Sequence, residues 1–135
     1  MYLEISRRAL VRNARAVCEY VGVPVIGVVK CDGYGVTIPE AARAWKQAGA
    51  SMFAVARPEE ATVLREAGFR EDILLLSPVA DRETLNRMTV QNVILTVTGF
   101  ESAEFYSIHA AHIPVRVHVA DAGIDARIGE ALYGK

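Results

Sequence analysis

Lys30 closes an apolar stretch running from Val23 to Val29 and opens Lys30-Cys31-Asp32-Gly33-Tyr34-Gly35. A charge where a buried strand opens into a loop is an uncommon placement, because a buried amine is costly. Buried amines also titrate down readily, and a neutral amine is the nucleophile that imine chemistry needs. Composition by itself favours a lysine that merely ends a strand and snorkels to water. The loop that follows, with a phenol between two glycines, turns the reading toward chemistry.

Other residues with chemical potential read more plainly. His109 and His112 stand three apart on a helical segment, but no acidic or thiol partner lies nearby. They read as a solvated helix face, and no metal site is expected. His118 alternates with Val117 and Val119, so it points either into the layer beneath the strand or out to a helix. Cys18 and Cys31 lack motif spacing and make no disulfide framework. In a strand, Cys31 faces away from Lys30 and reads as a packing residue. Trp45 and Phe53 read as core. Neither a Gly-x-Gly-x-x-Gly nor a Gly-x-x-x-x-Gly-Lys-Ser/Thr motif occurs, so nucleotide-binding α/β forms lose support.

The elements that must position Lys30 alternate along the chain. Ser6 is the expected N-cap of a helix with an apolar stripe of Leu10, Ala14, Val17 and Val21, stopped by Gly22 and Pro24. Residues 24–30 read as the first buried strand. Thr37-Ile38-Pro39-Glu40 has the form of a capping box, leading a helix that buries Ile38, Ala41, Ala42, Trp45 and Ala48. Strands are expected over residues 51–55, 72–76, 92–97 and 114–120. Helices open at Pro58, with Glu59 and Glu60 suiting the dipole, at Asp81, and at the capping box Thr98-Gly99-Phe100-Glu101. Ala61, Leu64 and Ala67 face inward on the first, Leu85 and Met88 on the second, Ala103, Tyr106 and Ala110 on the third. This alternation implies parallel strands joined by right-handed crossovers. Near-continuous apolar strands imply cover on both faces. Periodicity does not choose between an open sheet and a barrel.

With 135 residues the chain fits one domain with a real core. The balance of 52% hydrophobic and 23% charged residues is that of a globular protein. A net charge of -1, with both signs interspersed, argues against an electrostatically driven nucleic-acid or membrane partner. No apolar run is long enough to span a bilayer, and the N-terminus lacks a signal-peptide core, so a cytoplasmic setting is expected.

Val28-Val29-Lys30-Cys31-Asp32-Gly33-Tyr34-Gly35 resembles the lysine motif of the alanine racemases, usually Val-Lys-Ala-Asp/Asn-Ala-Tyr-Gly. The resemblance keeps its order along nearly the whole chain. Leu3-Glu4-Ile5 with Ala9-Leu10 and Asn13 is similar to the family's opening. Residues 49–56, Glu59-Glu60-Ala61 with Leu64-Arg65-Glu66-Ala67-Gly68, and residues 73–76 follow in step. His118 through Gly129 resembles the Asp-Thr-Gly-Met…Arg-Leu-Gly segment. Departures are clear. The family continues Tyr-Gly-His-Gly, where this chain has Gly35-Val36-Thr37. Asp121-Ala122-Gly123-Ile124 replaces Asp-Thr-Gly-Met, with one extra residue before Arg127. The place of a lysine that many members carbamylate holds Val119 or Ala120, so an arginine doing the family's job here is held differently.

The resemblance implies an α/β fold, a partial (β/α)8 TIM-type barrel with about five parallel strands and intervening helices. Residues 1–135 would be the N-terminal part of a barrel that binds pyridoxal 5'-phosphate, with later barrel strands and a β-domain absent. It implies a pyridoxal-phosphate-dependent isomerase that interconverts L- and D-alanine for D-alanine biosynthesis. Lys30 would carry the cofactor as an imine and exchange the substrate's α-proton on one face. Tyr34 would contact the phosphate. Arg127 would sit near the cofactor's phenolic oxygen and the substrate carboxylate. The family's opposite acid/base is a tyrosine from the partner subunit's C-terminal domain, a role Tyr133 does not take. The expected partners are a small amino-acid substrate and a second copy of the chain, as a homodimer or by self-association. This segment alone is expected to have little or no activity. Two other readings stay open: a non-catalytic pyridoxal-phosphate-binding homeostasis protein, and a structural half-barrel that self-associates through open strand edges.

Overall fold

The computed structural model describes residues 4–110 and 114–119. Five strands, β1 (Ile26–Val28), β2 (Met52–Val55), β3 (Asp72–Leu75), β4 (Val93–Val97) and β5 (Val117–Val119), lie side by side in sequence order. Every neighbouring pair is parallel. A doubly wound open sheet reverses its strand order at a switch point. These five strands do not reverse. Sequential order with right-handed crossovers lays the helices on one face and winds the sheet as a (β/α)8 barrel requires. The expected partial barrel is therefore the observed architecture.

Helices α1 (Arg7–Val21), α3 (Ile38–Ala48), α4 (Pro58–Glu66), α5 (Arg82–Val90) and α6 (Phe100–His109) supply the outer layer, and α2 (Lys30–Tyr34) is a single irregular turn. Alternate strand residues Val29, Phe53, Val55, Ile73, Leu75, Val93 and Leu95 join Ile38, Ala42, Ala61, Leu64, Leu85 and Met88 in one core. The intervening residues face the other way, as the strand period demands. Across that second face Val28, Ala54, Leu74 and Ile94 are in register, and Thr96 pairs with His118. His118 is thereby placed on the face opposite the helices. Gly27 allows the closest approach of helix to strand. A Cβ there would stand 2.6 Å from Trp45 Cγ, so this position has no room for a side chain.

Ser6 caps α1 by accepting from Ala9 N at 3.3 Å, and Asp81 caps α5 by accepting from Thr84 N at 2.8 Å. Several local expectations are corrected. Thr37 makes no side-chain cap, and Glu40 pairs instead with Arg7 and Arg43. At α6 the cap oxygen comes from Ser102 rather than Glu101, accepting from Thr98 N and Gly99 N at 3.0 and 3.3 Å. Val17 and Val21 remain exposed, because only Ala14 of α1 is fully buried. Ala67 and Ala103 are exposed as well. Ala67 is the C-cap of α4, beyond the turn that packs on the sheet.

Candidate active site

The C-terminal ends of parallel strands are where α/β barrels place their chemistry. Lys30 lies at that end of β1. The regular strand stops at Val28, two residues earlier than expected, although Val29 N still donates to Ala54 O at 2.9 Å. Lys30 begins α2, and the next four residues are all left-handed. Cys31, Asp32, Gly33 and Tyr34 have φ of 54°, 51°, 63° and 55°. Left-handed helical conformation costs an L-residue roughly 1–2 kcal/mol, so three non-glycine residues within one four-residue turn need support from outside it. Gly33 is the point of closest packing, since a Cβ there would lie 3.0 Å from Ala41 Cβ and 3.2 Å from Ile38 N.

The left-handed turn overturns the expectation for Cys31. Strand alternation does not apply to it, and its side chain is exposed rather than packed. Lys30 itself is half-buried, and it has no hydrogen-bond or ion-pair partner among the described residues. Tyr34, at the far end of the same turn, is 63% exposed. It edges a groove between α1 and α3 lined by Leu10, Ala14, Val17, Val28 and Trp45; Lys30 does not line that groove. The two residues share a turn without sharing a cavity. Arg127, Asp121, Tyr133 and His112 lie outside the described residues.

Sequence reasoning missed the carboxylate that supports this turn. Glu60 was assigned only to the α4 dipole. It is instead buried, and its two oxygens accept three backbone N–H groups. Oε1 takes Cys31 N at 2.7 Å, while Oε2 takes Ala56 N at 2.9 Å and Arg57 N at 3.0 Å. A glutamate at the third position of a helix reaching back to its own N-cap is a known local device, so the Arg57 bond was legible. The bond to Cys31 spans 29 residues and was not.

The neighbouring rim is held by Tyr106. Its hydroxyl accepts from Val79 N at 2.8 Å and donates to Thr96 O at 3.1 Å, tying the loop after β3 to β4 and α6. Burial raises its phenol pKa and keeps it neutral, as this donor–acceptor role requires. The opposite, N-terminal end of the sheet carries ion pairs. Arg116 holds Asp72 bidentately at 2.5 and 2.7 Å.

The model of the family "Alanine racemase, N-terminal domain" matches residues 5–134. The chain belongs to this family. The alanine racemase of Listeria monocytogenes serotype 4a (strain HCC23) is 35% identical over 131 residues, covering 95% of this chain and 34% of that protein. The crystal structure of alanine racemase from E. faecalis superposes with a TM-score of 0.77 at 32% identity, over 90% of this chain and 34% of that one. The histidine racemase of Leuconostoc mesenteroides subsp. sake NBRC 102480 gives a TM-score of 0.75 at 25% identity, over 84% and 31% respectively. The chain thus spans about a third of the length of the racemases it matches. Among the described residues no helix is long and apolar enough to cross a membrane.

Proposed function

We propose that this racemase-family segment carries the cofactor lysine of a pyridoxal-phosphate-dependent amino-acid racemase, with alanine as substrate. One observation supports the reading above the others. Lys30 presents an amine, unpaired among the described residues, at the catalytic end of a parallel sheet, in the turn that bears the family's motif. These residues fit the cofactor. An aldehyde needs a primary amine that no neighbouring carboxylate holds as ammonium, and Lys30 has no such partner among the described residues. A phosphate needs donors, and the exposed Tyr34 hydroxyl on the same turn is one. When bound, pyridoxal phosphate withdraws electrons from the substrate's α-carbon and acidifies its proton.

The chain's own part is to bind and to move that proton. Lys30 Nζ, held half-buried at the strand end, takes or returns the α-proton on the face it occupies. Arg127 is assigned the cofactor's phenolic oxygen and the substrate carboxylate, which a guanidinium suits by charge and planar geometry. Racemisation needs a second acid/base on the opposite face. In this reading it comes from a second copy of the complete protein, acting in the cytoplasm as a homodimer. The segment by itself is then inactive. Support for alanine over another amino acid comes from the relatives' names, among which histidine racemase shows that the same barrel serves a different side chain.

The test is reductive trapping. The chain is incubated with pyridoxal phosphate, reduced with borohydride, digested and weighed peptide by peptide. We expect the mass gain on the Lys30 peptide, its loss in Lys30→Ala, and no turnover of L-alanine by the segment. Labelling spread evenly over Lys46 and Lys135 sinks the cofactor assignment. Turnover by the segment comparable with a full-length racemase sinks the claim that it is inactive.

A further inference from the structure

We propose that Glu60 is a positioning residue for Lys30, holding the lysine's exit from β1 through the N–H of Cys31; this rests on Lys30 being the cofactor lysine. Glu60 is the one charged side chain that is buried among the described residues. Its negative charge has no cationic partner there, and three backbone N–H groups stand in for one. Two of those, from Ala56 and Arg57, belong to the start of its own helix. They are the local reach of a third-position glutamate back to its own N-cap. The third bond, to Cys31 at 2.7 Å, is the shortest and is irrelevant to the helix.

Its geometric effect falls on Lys30. The Cys31 N–H lies in the peptide plane that begins at the Lys30 carbonyl carbon, so fixing it fixes the lysine's ψ. On the other side, Val29 N is bonded to Ala54 O. Lys30 is therefore bracketed by two hydrogen bonds, one anchored on β2 and the other on the first turn of α4. That bracket fixes where its Cα–Cβ vector points. It also supports the left-handed run Cys31, Asp32 and Tyr34, which the chain would otherwise leave. Catalytic groups need this kind of second layer to hold their orientation.

An isosteric amide separates the roles of the carboxylate. Glu60→Gln keeps one acceptor oxygen, which satisfies most donors when it faces Ala56 and Arg57. The amide nitrogen then confronts Cys31 N, donor against donor. Glu60→Asp, one methylene shorter, likewise keeps to the helix start and withdraws from Cys31. It covers the case in which the amide fails to fold.

The experiment reads two signals in wild-type and variant chains: amide hydrogen exchange by NMR, and the rate at which pyridoxal phosphate with borohydride labels Lys30 relative to Lys46. We expect Cys31 exchange to rise roughly tenfold or more while Ala56 and Arg57 stay protected, as for loss of one charged hydrogen bond. Labelling of Lys30 relative to Lys46 should fall by roughly the same factor. Unchanged Cys31 exchange, or a loosened Cys31 with unchanged Lys30 labelling, overturns the positioning role and leaves Glu60 a helix cap. If wild-type Lys30 labels no faster than Lys46, the cofactor reading falls and takes the positioning role with it.

Discussion

Thr37 occupies the place where the family motif, in its Tyr-Gly-His-Gly form, has its second glycine. Its φ of 69° and ψ of 145° lie in a region that glycine enters freely and a β-branched residue enters only under strain. Such strain costs on the order of 1–3 kcal/mol. Thr37→Gly is therefore expected to stabilise the chain by about 1 kcal/mol, despite glycine's greater unfolded freedom. A rise in the urea midpoint at unchanged slope would support this; a fall would show that the packing of Ile38 and Val36, not Thr37 strain, governs the loop. Lys30 and Tyr34 were legible as candidates because their types and spacing are local. Glu60 was legible only as a helix-start acid, because its decisive partner, Cys31 N, comes from a turn 29 residues away.

At the scale of elements, the loops at the C-terminal rim depend on single polar side chains that reach between units. Tyr106 is the clearest case. It was read from sequence as an inward apolar position of α6, and burial bears that out. Its hydroxyl does more, because Val79 N and Thr96 O would both lack a partner without it. Tyr106→Phe leaves two buried polar groups unsatisfied and is expected to cost about 1–3 kcal/mol in chemical denaturation. A loss well below that range would mean that water enters to replace the hydroxyl. Helix ends, by contrast, were read unevenly. Ser6 and Asp81 cap as their types suggest, whereas Thr37 and Glu101 do not. A capping box is a pattern that backbone entry angle can veto, and the left-handed turn before α3 does so.

For the whole molecule, acid response follows from carboxylates held by hydrogen bonds, Asp72 at the N-terminal end of the sheet and Asp81 at the cap of α5. Arg116 hydrogen bonding holds Asp72 below its ordinary value of 3.8, and the Thr84 N–H does the same for Asp81. A carboxylate depressed in the folded state contributes stability that is present above its unfolded value. That contribution is lost as pH falls through the folded value. Thermal stability should therefore decline below about pH 4, with Asp72→Asn showing a shallower decline than wild type. The effect is modest, because both partners of the Arg116 pair are over 40% exposed. An acid limb identical in wild type and Asp72→Asn would assign the decline to other carboxylates.

The order of the strands and the longer helices, most of the core and the candidacy of Lys30 were legible in sequence alone. Each follows from periodicity, capping chemistry or an ordered run of motifs, which are local properties. The tertiary structure decided three things. Sequential parallel pairing makes the sheet a barrel segment, since pairing order is a choice among distant strands. The chain leaves β1 as a left-handed turn, because a packed neighbourhood can hold backbone that isolated residues avoid. The carboxylate of Glu60 meets that turn, because only the fold brings the start of α4 to the end of β1.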